Sequence, residues 1–105
     1  MITEEFYEVR LALCESRHAM PAEVTGSVFG ETIADPTDTD ELLHTATQRI
    51  LSHVRPGHGG HIYLYVTGLT VALGAVIRAC LNHAVHLTLM HYDRESGEYY
   101  PQYIC

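Results

Sequence analysis

The chain contains no lysine, and its six basic residues, all arginine, stand against 13 acidic residues. The formal net charge is therefore −7 with histidine neutral. Non-specific binding to duplex nucleic acid needs a basic face, so we predict no duplex nucleic-acid partner. A small anionic ligand is compatible with this charge, because it needs only the local field of an arginine and a helix N-terminus.

Long apolar runs and paired cysteines are also missing. No run approaches the roughly 18 apolar residues that a membrane-spanning helix needs. The first ten residues carry three glutamates where a secretory signal would be basic and then apolar. We therefore expect a cytoplasmic protein with no membrane partner. The three cysteines (Cys14, Cys80 and Cys105) form no pairwise pattern, so no disulfide framework is predicted.

The composition is that of one small globular domain. Apolar residues make up 47% of the 105 residues and charged residues 18%, which excludes a disordered chain. A second domain would not have room for its own core, so a single domain over residues 1–105 is predicted.

Hydrophobic periodicity predicts strands and one helix in the first half. Period-2 alternation indicates a strand over residues 6–13, and a second strand is predicted over 23–33, bent at Gly26 and Gly30. Asp38 followed by Glu41 has the form of a capping box. Apolar residues at helical spacing then continue to about His53, which predicts an amphipathic helix.

The second half predicts two more strands around a helix, then a hairpin. Residues 62–66 are apolar on both faces, which is typical of a central strand, and 71–82 form a helix that is apolar nearly all round. Strands at 85–91 and 98–104 follow, and Pro101 places the last one at an edge. The tyrosines at 63 and 65 are expected in the core. Those at 99, 100 and 103 fit either sheet packing or base stacking.

These elements predict an α/β fold, a single small domain of order β-β-α-β-α-β-β. The strand–helix–strand segment 62–91 is expected to be a right-handed parallel unit, with the remaining strands antiparallel at its edges. The helix over 71–82 must be covered on two sides. The sheet covers one side, and another subunit is the simplest cover for the other, so we expect a homo-oligomer, a dimer or higher.

Ligands bind beyond the carboxyl ends of parallel strands, where the sequence places Thr67-Gly68-Leu69-Thr70. Gly68 lets the backbone come close to an anion. The start of the following helix offers free N–H groups, and the two threonine hydroxyls can donate. The alternative is an ordinary tight turn at Thr67-Gly68 with Thr70 as a helix cap, since a full phosphate-loop motif is absent.

A second loop at the same edge concentrates titratable groups: His91, Tyr92, Asp93 and Arg94. Arg94 can pair with a phosphate, His91 can transfer a proton, and Asp93 can orient either group. The alternative is a solvated hairpin turn. We expect Arg17, in the loop after the first strand, to lie at the same edge of the sheet as these two loops.

The histidines do not predict a metal site. His58 and His61 are three residues apart, as are His83 and His86, with Cys80 one turn before His83. A structural zinc site needs four convergent ligands and usually has cysteine pairs, which are absent. We therefore predict no metal and no cofactor.

Residues 61–102 carry a family resemblance. The run YLYVTGLT at 63–70, the apolar helix, and the run LTLMHYDRESGEYYPQ at 87–102 resemble the small CRISPR-associated proteins with a Rossmann-like, CARF-related domain. The order of elements also resembles the single-domain ring nucleases of type III systems. Members of this group bind cyclic oligoadenylate, the second messenger of type III CRISPR defence. Some members cleave it and others only hold it.

The resemblance implies that residues 67–70 contact the ligand and that residues 92–94 lie on the same rim. The sequence departs from the family in having no lysine and no family pattern in the N-terminal loop, which favours binding over catalysis. We therefore expect a homo-oligomeric protein that sequesters cyclic oligoadenylate, first of all cyclic tetra-adenylate. One alternative is a ring nuclease that uses His91 and Asp93, with Arg94 stabilising charge. Another is a structural module whose apolar helix only mediates assembly.

Overall fold

The computed structural model describes residues 8–15, 20–30, 33–55 and 59–105. Five strands and two helices follow one another in the predicted order: β1 (Glu8–Cys14), β2 (Gly26–Phe29), α1 (Thr39–Leu51), β3 (His61–Tyr65), α2 (Thr70–Asn82), β4 (His86–Asp93) and β5 (Glu98–Tyr103). The predicted start of the first strand at residues 6–7 lies outside the described residues, as do residues 31–32 of the second. Within the described part, β2 is much shorter than the predicted 23–33.

The strands form one sheet in the order β2-β1-β3-β4-β5. The parallel unit β3-α2-β4 and the antiparallel edge strand β5 are confirmed. The prediction that the remaining strands are antiparallel is wrong for β1 and β2, because β1 pairs parallel with both β2 and β3. The physical reason is the length of the connections. The segments after β1 and β2 are long enough to bring the chain back to the end of the sheet where the preceding strand began, so the next strand runs in the same direction. The fold is thus a mostly parallel α/β sheet.

Both helices pack against one another on the same face of the sheet. They cover a core of fully buried aliphatic side chains from the three central strands: Leu11, Leu13, Ile62, Leu64 and Leu87. α1 therefore covers part of the α2 surface for which the sequence suggested another subunit, and oligomerisation stays a prediction. Each helix has 13 residues. No helix in the described part of the chain is long and apolar enough to cross a membrane.

The predicted start of α1 is confirmed at its cap. The Asp38 carboxylate accepts a hydrogen bond of 3.1 Å from the Glu41 backbone N–H. Asp40 and Glu41 lie in the first turn and Arg49 in the last, so the charges complement the helix dipole.

No helix of the described residues covers the other face of the sheet, here called the open face. Successive side chains of a strand alternate between the two faces, so the registers assign residues to each face. On β1, β3, β4 and β5 the open face carries one arginine, one glutamate, many aromatic rings and few aliphatic side chains: Glu8, Arg10, Ala12, Cys14, His61, Tyr63, Tyr65, His86, Thr88, Met90, Tyr92, Tyr99, Pro101 and Tyr103.

Candidate functional site

The order of the strands creates a switch point between β1 and β3. β1 continues to β2 on one side of the sheet, whereas β3 continues through α2 to β4 on the other side. The chain therefore leaves these two neighbouring strands in opposite directions. Open α/β sheets bind ligands in the crevice that such a reversal leaves at the carboxyl ends of the strands. The predicted loop 67–70 lies at this point.

Thr67 joins the ends of β1 and β3 through its side chain. Its hydroxyl donates to the Cys14 carbonyl oxygen at 3.0 Å and accepts from the Cys14 backbone N–H at 3.2 Å. The single proton of the hydroxyl is thereby used. A ligand contact through the Thr67 hydroxyl would have to displace this bridge.

Gly68 occupies a position that only glycine fits well. Its φ is +85°, and a Cβ there would lie 2.7 Å from the Cys14 sulfur. Cys14 is buried. Burial raises the pKa of its thiol, and the nearby Leu69 backbone N–H offsets this only in part. Cys14 is therefore suited to supporting the turn and poorly suited to nucleophilic chemistry.

The N-terminus of α2 lies at the switch point without a side-chain cap. The N-cap residue is Leu69, in extended conformation, and Thr70 is the first helical residue. The alternative in which Thr70 caps the helix is therefore wrong. The first turn contains no acidic residue, and both Leu69 and Thr70 are exposed. Uncapped N–H groups at the positive end of a helix dipole are suited to an anion.

The β4–β5 hairpin extends past the end of β3. Tyr65, the last residue of β3, pairs with Met90, and β4 continues to Asp93 paired only with β5. At about 3.3 Å per residue, Arg94 lies about 13 Å beyond Met90. The structure therefore brings His91 and Tyr92 towards the end of β3 and places Arg94, which is exposed, at the hairpin tip.

His91 and Asp93, the predicted acid–base pair, both have partners within the hairpin. The Asp93 carboxylate accepts from the Glu95 backbone N–H at 3.2 Å. A hydrogen bond from the Ser96 side chain, followed by the Glu95 bond, holds the pKa of the Asp93 carboxyl below its usual value. His91 Nε2 lies 2.7 Å from the Gln102 side-chain oxygen. Asp93 thus stabilises the turn, as the hairpin alternative predicts, and is a weak base.

The described residues form two open concave surfaces. A hollow of about 420 Å³ lies on the open face where small side chains of β1 and β2 meet, lined by Ala12, Glu15, Met20, Val24, Thr25, Gly26 and Ser27. A groove of about 450 Å³ runs between the N-terminal halves of the two helices, lined by Thr39, Asp40, Leu42, Leu43, Val71, Gly74, Ala75 and Arg78. The loop residues 67–70 line neither surface.

Two predicted groups are not placed by the structure. Arg17 and His58 lie outside the described residues. Within the described ranges, no three or more histidine, cysteine, aspartate or glutamate side chains come together in a way that would hold a metal ion.

Sequence reasoning missed Arg10. Its Nη1 donates to the Tyr65 hydroxyl at 2.9 Å, and its guanidinium carbon lies 4.3 Å from the centre of the Tyr63 ring. The His61 ring stacks on the same tyrosine at 4.4 Å, with an interplanar angle of 10°. The alternating pattern of residues 6–13 could have indicated this residue, because it places Arg10 on the face of the strand opposite the apolar side chains. The core position predicted for Tyr65 is confirmed at 2% exposure, whereas Tyr63 is half-buried.

The His61 environment predicts a loss of stability in mild acid. Burial lowers the pKa of His61, and the neighbouring His86 lowers it further. The unfolded chain then binds the proton more readily than the folded chain, so the free energy of unfolding falls as pH drops below the ordinary histidine pKa of about 6.5. Melting temperatures between pH 8 and pH 5.5 measure this. His61→Gln should flatten the dependence of the melting temperature on pH, and a slope equal to that of the wild type would refute the assignment.

No protein-family model, no curated protein and no solved structure matches this chain. The family resemblance of residues 61–102 stays a prediction, and the site is defined by its own geometry at the switch point.

Proposed function

We propose that this protein binds a cyclic oligoadenylate, first of all cyclic tetra-adenylate, and lowers its free concentration by holding it in a homo-oligomer. The domain would be Rossmann-like and CARF-related, and would act in type III CRISPR defence in the cytoplasm. The observation that carries the proposal is the uncapped N-terminus of α2 at the switch point. The family resemblance falls on β3, α2, β4 and β5, which are the elements around this point.

The chemistry of the ligand suits such a site. A cyclic oligoadenylate is a ring of phosphates with rotational symmetry, so a symmetric oligomer would meet it with repeated copies of one small site. Each copy needs to supply only a helix N-terminus and a few side chains, since linked contacts multiply the affinity. The acidic surface elsewhere is no obstacle, because the local dipole attracts the phosphate.

Holding the ligand is favoured over cleaving it. Cleavage needs a ribose 2′-hydroxyl in line with the neighbouring phosphate and acid–base assistance. The Asp93 carboxylate serves the hairpin turn and its pKa is lowered. His91 is held by Gln102. The ring-nuclease alternative is thus left without a free acid–base pair in the hairpin.

Purified protein in excess over labelled cyclic tetra-adenylate tests the proposal in one sample, followed by gel retention and by product analysis. We expect retained, intact ligand. Linear products would instead make the protein a ring nuclease, and replacing His91 and Asp93 by alanine would then be expected to stop turnover. No retention and no thermal stabilisation would favour the structural module. A binder should gain about 2.7 kcal/mol of stability at a ligand concentration 100 times the Kd.

Thr70→Pro tests the role of the helix N-terminus. Proline is tolerated at the first helical position, and the extended conformation of Leu69 (φ −83°, ψ 140°) suits a residue before proline. The variant should therefore fold while losing one N–H donor. Because a hydrogen bond to a charged group contributes about 1.5–3 kcal/mol, we expect at least tenfold weaker binding in equilibrium titration.

Thr70→Val is the matched comparison, since it removes the hydroxyl and keeps the N–H. Because the hydroxyl is itself a predicted donor to the ligand, the loss of affinity in Thr70→Pro beyond that in Thr70→Val measures the contribution of the backbone N–H. Arg94→Ala should also weaken binding, because Arg94 is the cation predicted to pair with phosphate. Unchanged affinity in Thr70→Pro would remove the helix N-terminus from the site.

A further inference from the structure

The open face combines a cation with planar rings in a single network. The Arg10 guanidinium contacts Tyr65 and Tyr63, and His61 stacks on Tyr63. His61 Nε2 lies 2.7 Å from the Thr88 hydroxyl. Among the buried side-chain nitrogen and oxygen atoms of the described residues, none lacks a hydrogen-bond partner. The buried polar side-chain atoms of this face are therefore satisfied within the described residues.

Two tyrosine rings project from this network into solvent. Tyr92 is 53% exposed and leans against Tyr99, with 5.3 Å between ring centres. Tyr103 is 65% exposed and lies edge-on to His61 at 6.3 Å. Tyr103 pairs with Thr88, four residues before Tyr92, so the two rings stand about 13 Å apart along β4. That spacing accommodates two separate flat groups.

We infer that the open face is a stacking surface for the adenine bases of the ligand, with Tyr92 and Tyr103 as the platforms. Arg10, at the other end of the cross-strand row that contains Tyr103, is the cation for a phosphate. The inference rests on the proposed function and extends it from the phosphates to the bases. Exposed aromatic rings on a sheet backed by helices on its other face are a recurrent solution for unpaired bases. One Arg10 donor is used by Tyr65, and a guanidinium has five.

The chemistry of the face favours bases over a second copy of the chain. A two-fold interface centred here would bring two copies of Arg10 together. The aliphatic content is also small, because Met90 is the largest aliphatic side chain that the registers place on this face. The planar rings and the Arg10 guanidinium complement a base and its phosphate, and Glu8, the carboxylate on this face, lies in the row of His61, at the opposite end of β3 from Tyr65.

Tyr92→Leu and Tyr100→Leu form a matched pair. Both tyrosines are 53% exposed and lie on the same hairpin, but Tyr100 pairs with His91 and therefore faces the helix side of the sheet. Stacking on one aromatic ring contributes about 1–3 kcal/mol per base, which corresponds to a fivefold or greater change in Kd. We expect Tyr92→Leu and Tyr103→Leu to weaken binding of cyclic tetra-adenylate at least fivefold, and Tyr100→Leu to change it less than twofold.

Equal affinities in the three leucine variants would overturn the inference while leaving the proposed function intact. Failure of the wild-type protein to bind cyclic tetra-adenylate would instead overturn the proposed function. In that case linear hexa-adenylate tests whether the open face binds bases. If the wild-type protein binds it and Tyr92→Leu weakens the binding, the inference is supported; if the wild-type protein does not bind it, the inference is overturned. The solution mass of each variant completes the test. Dissociation of an oligomer in Tyr92→Leu and Tyr103→Leu, with wild-type affinity per site, would make this face an interface between copies and would also overturn the inference.

Salt dependence gives a second readout. Arg10 is the only arginine that the described strands place on this face, so affinity for linear hexa-adenylate should fall only about fivefold for a tenfold rise in salt. Arg10→Gln should remove most of that dependence and leave the effect of Tyr92→Leu in place. A much steeper dependence, unchanged in Arg10→Gln, would show that binding does not use this face.

Discussion

Gly68→Ala should lower the free energy of unfolding by about 2–5 kcal/mol. The left-handed φ of +85° costs a residue with a Cβ about 1–2 kcal/mol. The added Cβ would also lie 2.7 Å from the buried Cys14 sulfur, and overpacking of this kind typically costs 1–3 kcal/mol. Urea unfolding followed by circular dichroism measures the change.

Two further variants separate these causes. In a Cys14→Ala background the sulfur is gone, so Gly68→Ala should cost mainly the part that comes from φ, with a smaller part from the Cβ of residue 14, which would lie 3.1 Å away. Gly74→Ala is the matched control, because a Cβ at this exposed position of α2 meets no atom within 4 Å. It should raise stability by about 0.5–1 kcal/mol, as expected for alanine in place of glycine within a helix. Equal effects at positions 68 and 74 would contradict the assigned geometry.

Thr67→Val should lower the free energy of unfolding by about 1–3 kcal/mol. Valine keeps the shape of the side chain but removes both hydrogen bonds to Cys14, leaving a buried backbone N–H and carbonyl without this partner. Thr67→Ser keeps the hydroxyl and should recover most of the loss. The same urea titration measures both variants.

The control for this prediction is Thr70→Val, three residues further along the same loop. Thr70 is exposed, and its side chain does not cap α2, so its replacement should change stability by less than about 0.5 kcal/mol. If Thr67→Val and Thr70→Val behaved alike, the bridge between β1 and β3 would contribute nothing. Ligand binding that survives Thr67→Ser but not Thr67→Val would show that the bridge also positions the site.

Local chemistry made the order of elements predictable. Asp38 has the side chain that an N-cap requires, and Pro101 cannot lie in a central strand, so the start of α1 and the place of β5 followed from single residues. The parallel pairing of β3 and β4 followed from the general handedness of strand–helix–strand units. The turn chemistry of Asp93 was one of two interpretations, and its hydrogen bonds favour that one.

The rest depends on how the elements are arranged in space. The direction of β1 and β2 is set by where the loops return, which no short pattern encodes. The sequence pattern predicts that both faces of β3 are buried, with Tyr63 and Tyr65 in the core, because tyrosine is treated as apolar when the hydrophobic pattern of a strand is assessed. In the fold, Tyr65 is covered by Tyr99 and hydrogen-bonded to Arg10 instead of lying under a second helix layer. The helix cap fell on Leu69 because the backbone of the glycine turn, not the threonine hydroxyl, sets where α2 begins.

Pro101 also has a consequence for the outer edge of the sheet. Met90 directs its carbonyl to β3, where it accepts from the Val66 N–H, so its partner Pro101 turns its own backbone away from β4. The proline thus costs the ladder no bond and removes a donor from the unpaired rim of β5. An incoming strand would meet a gap there, which is a known protection against edge-to-edge aggregation. The exposed hairpin can therefore keep its tyrosines in water without recruiting a sixth strand along β5.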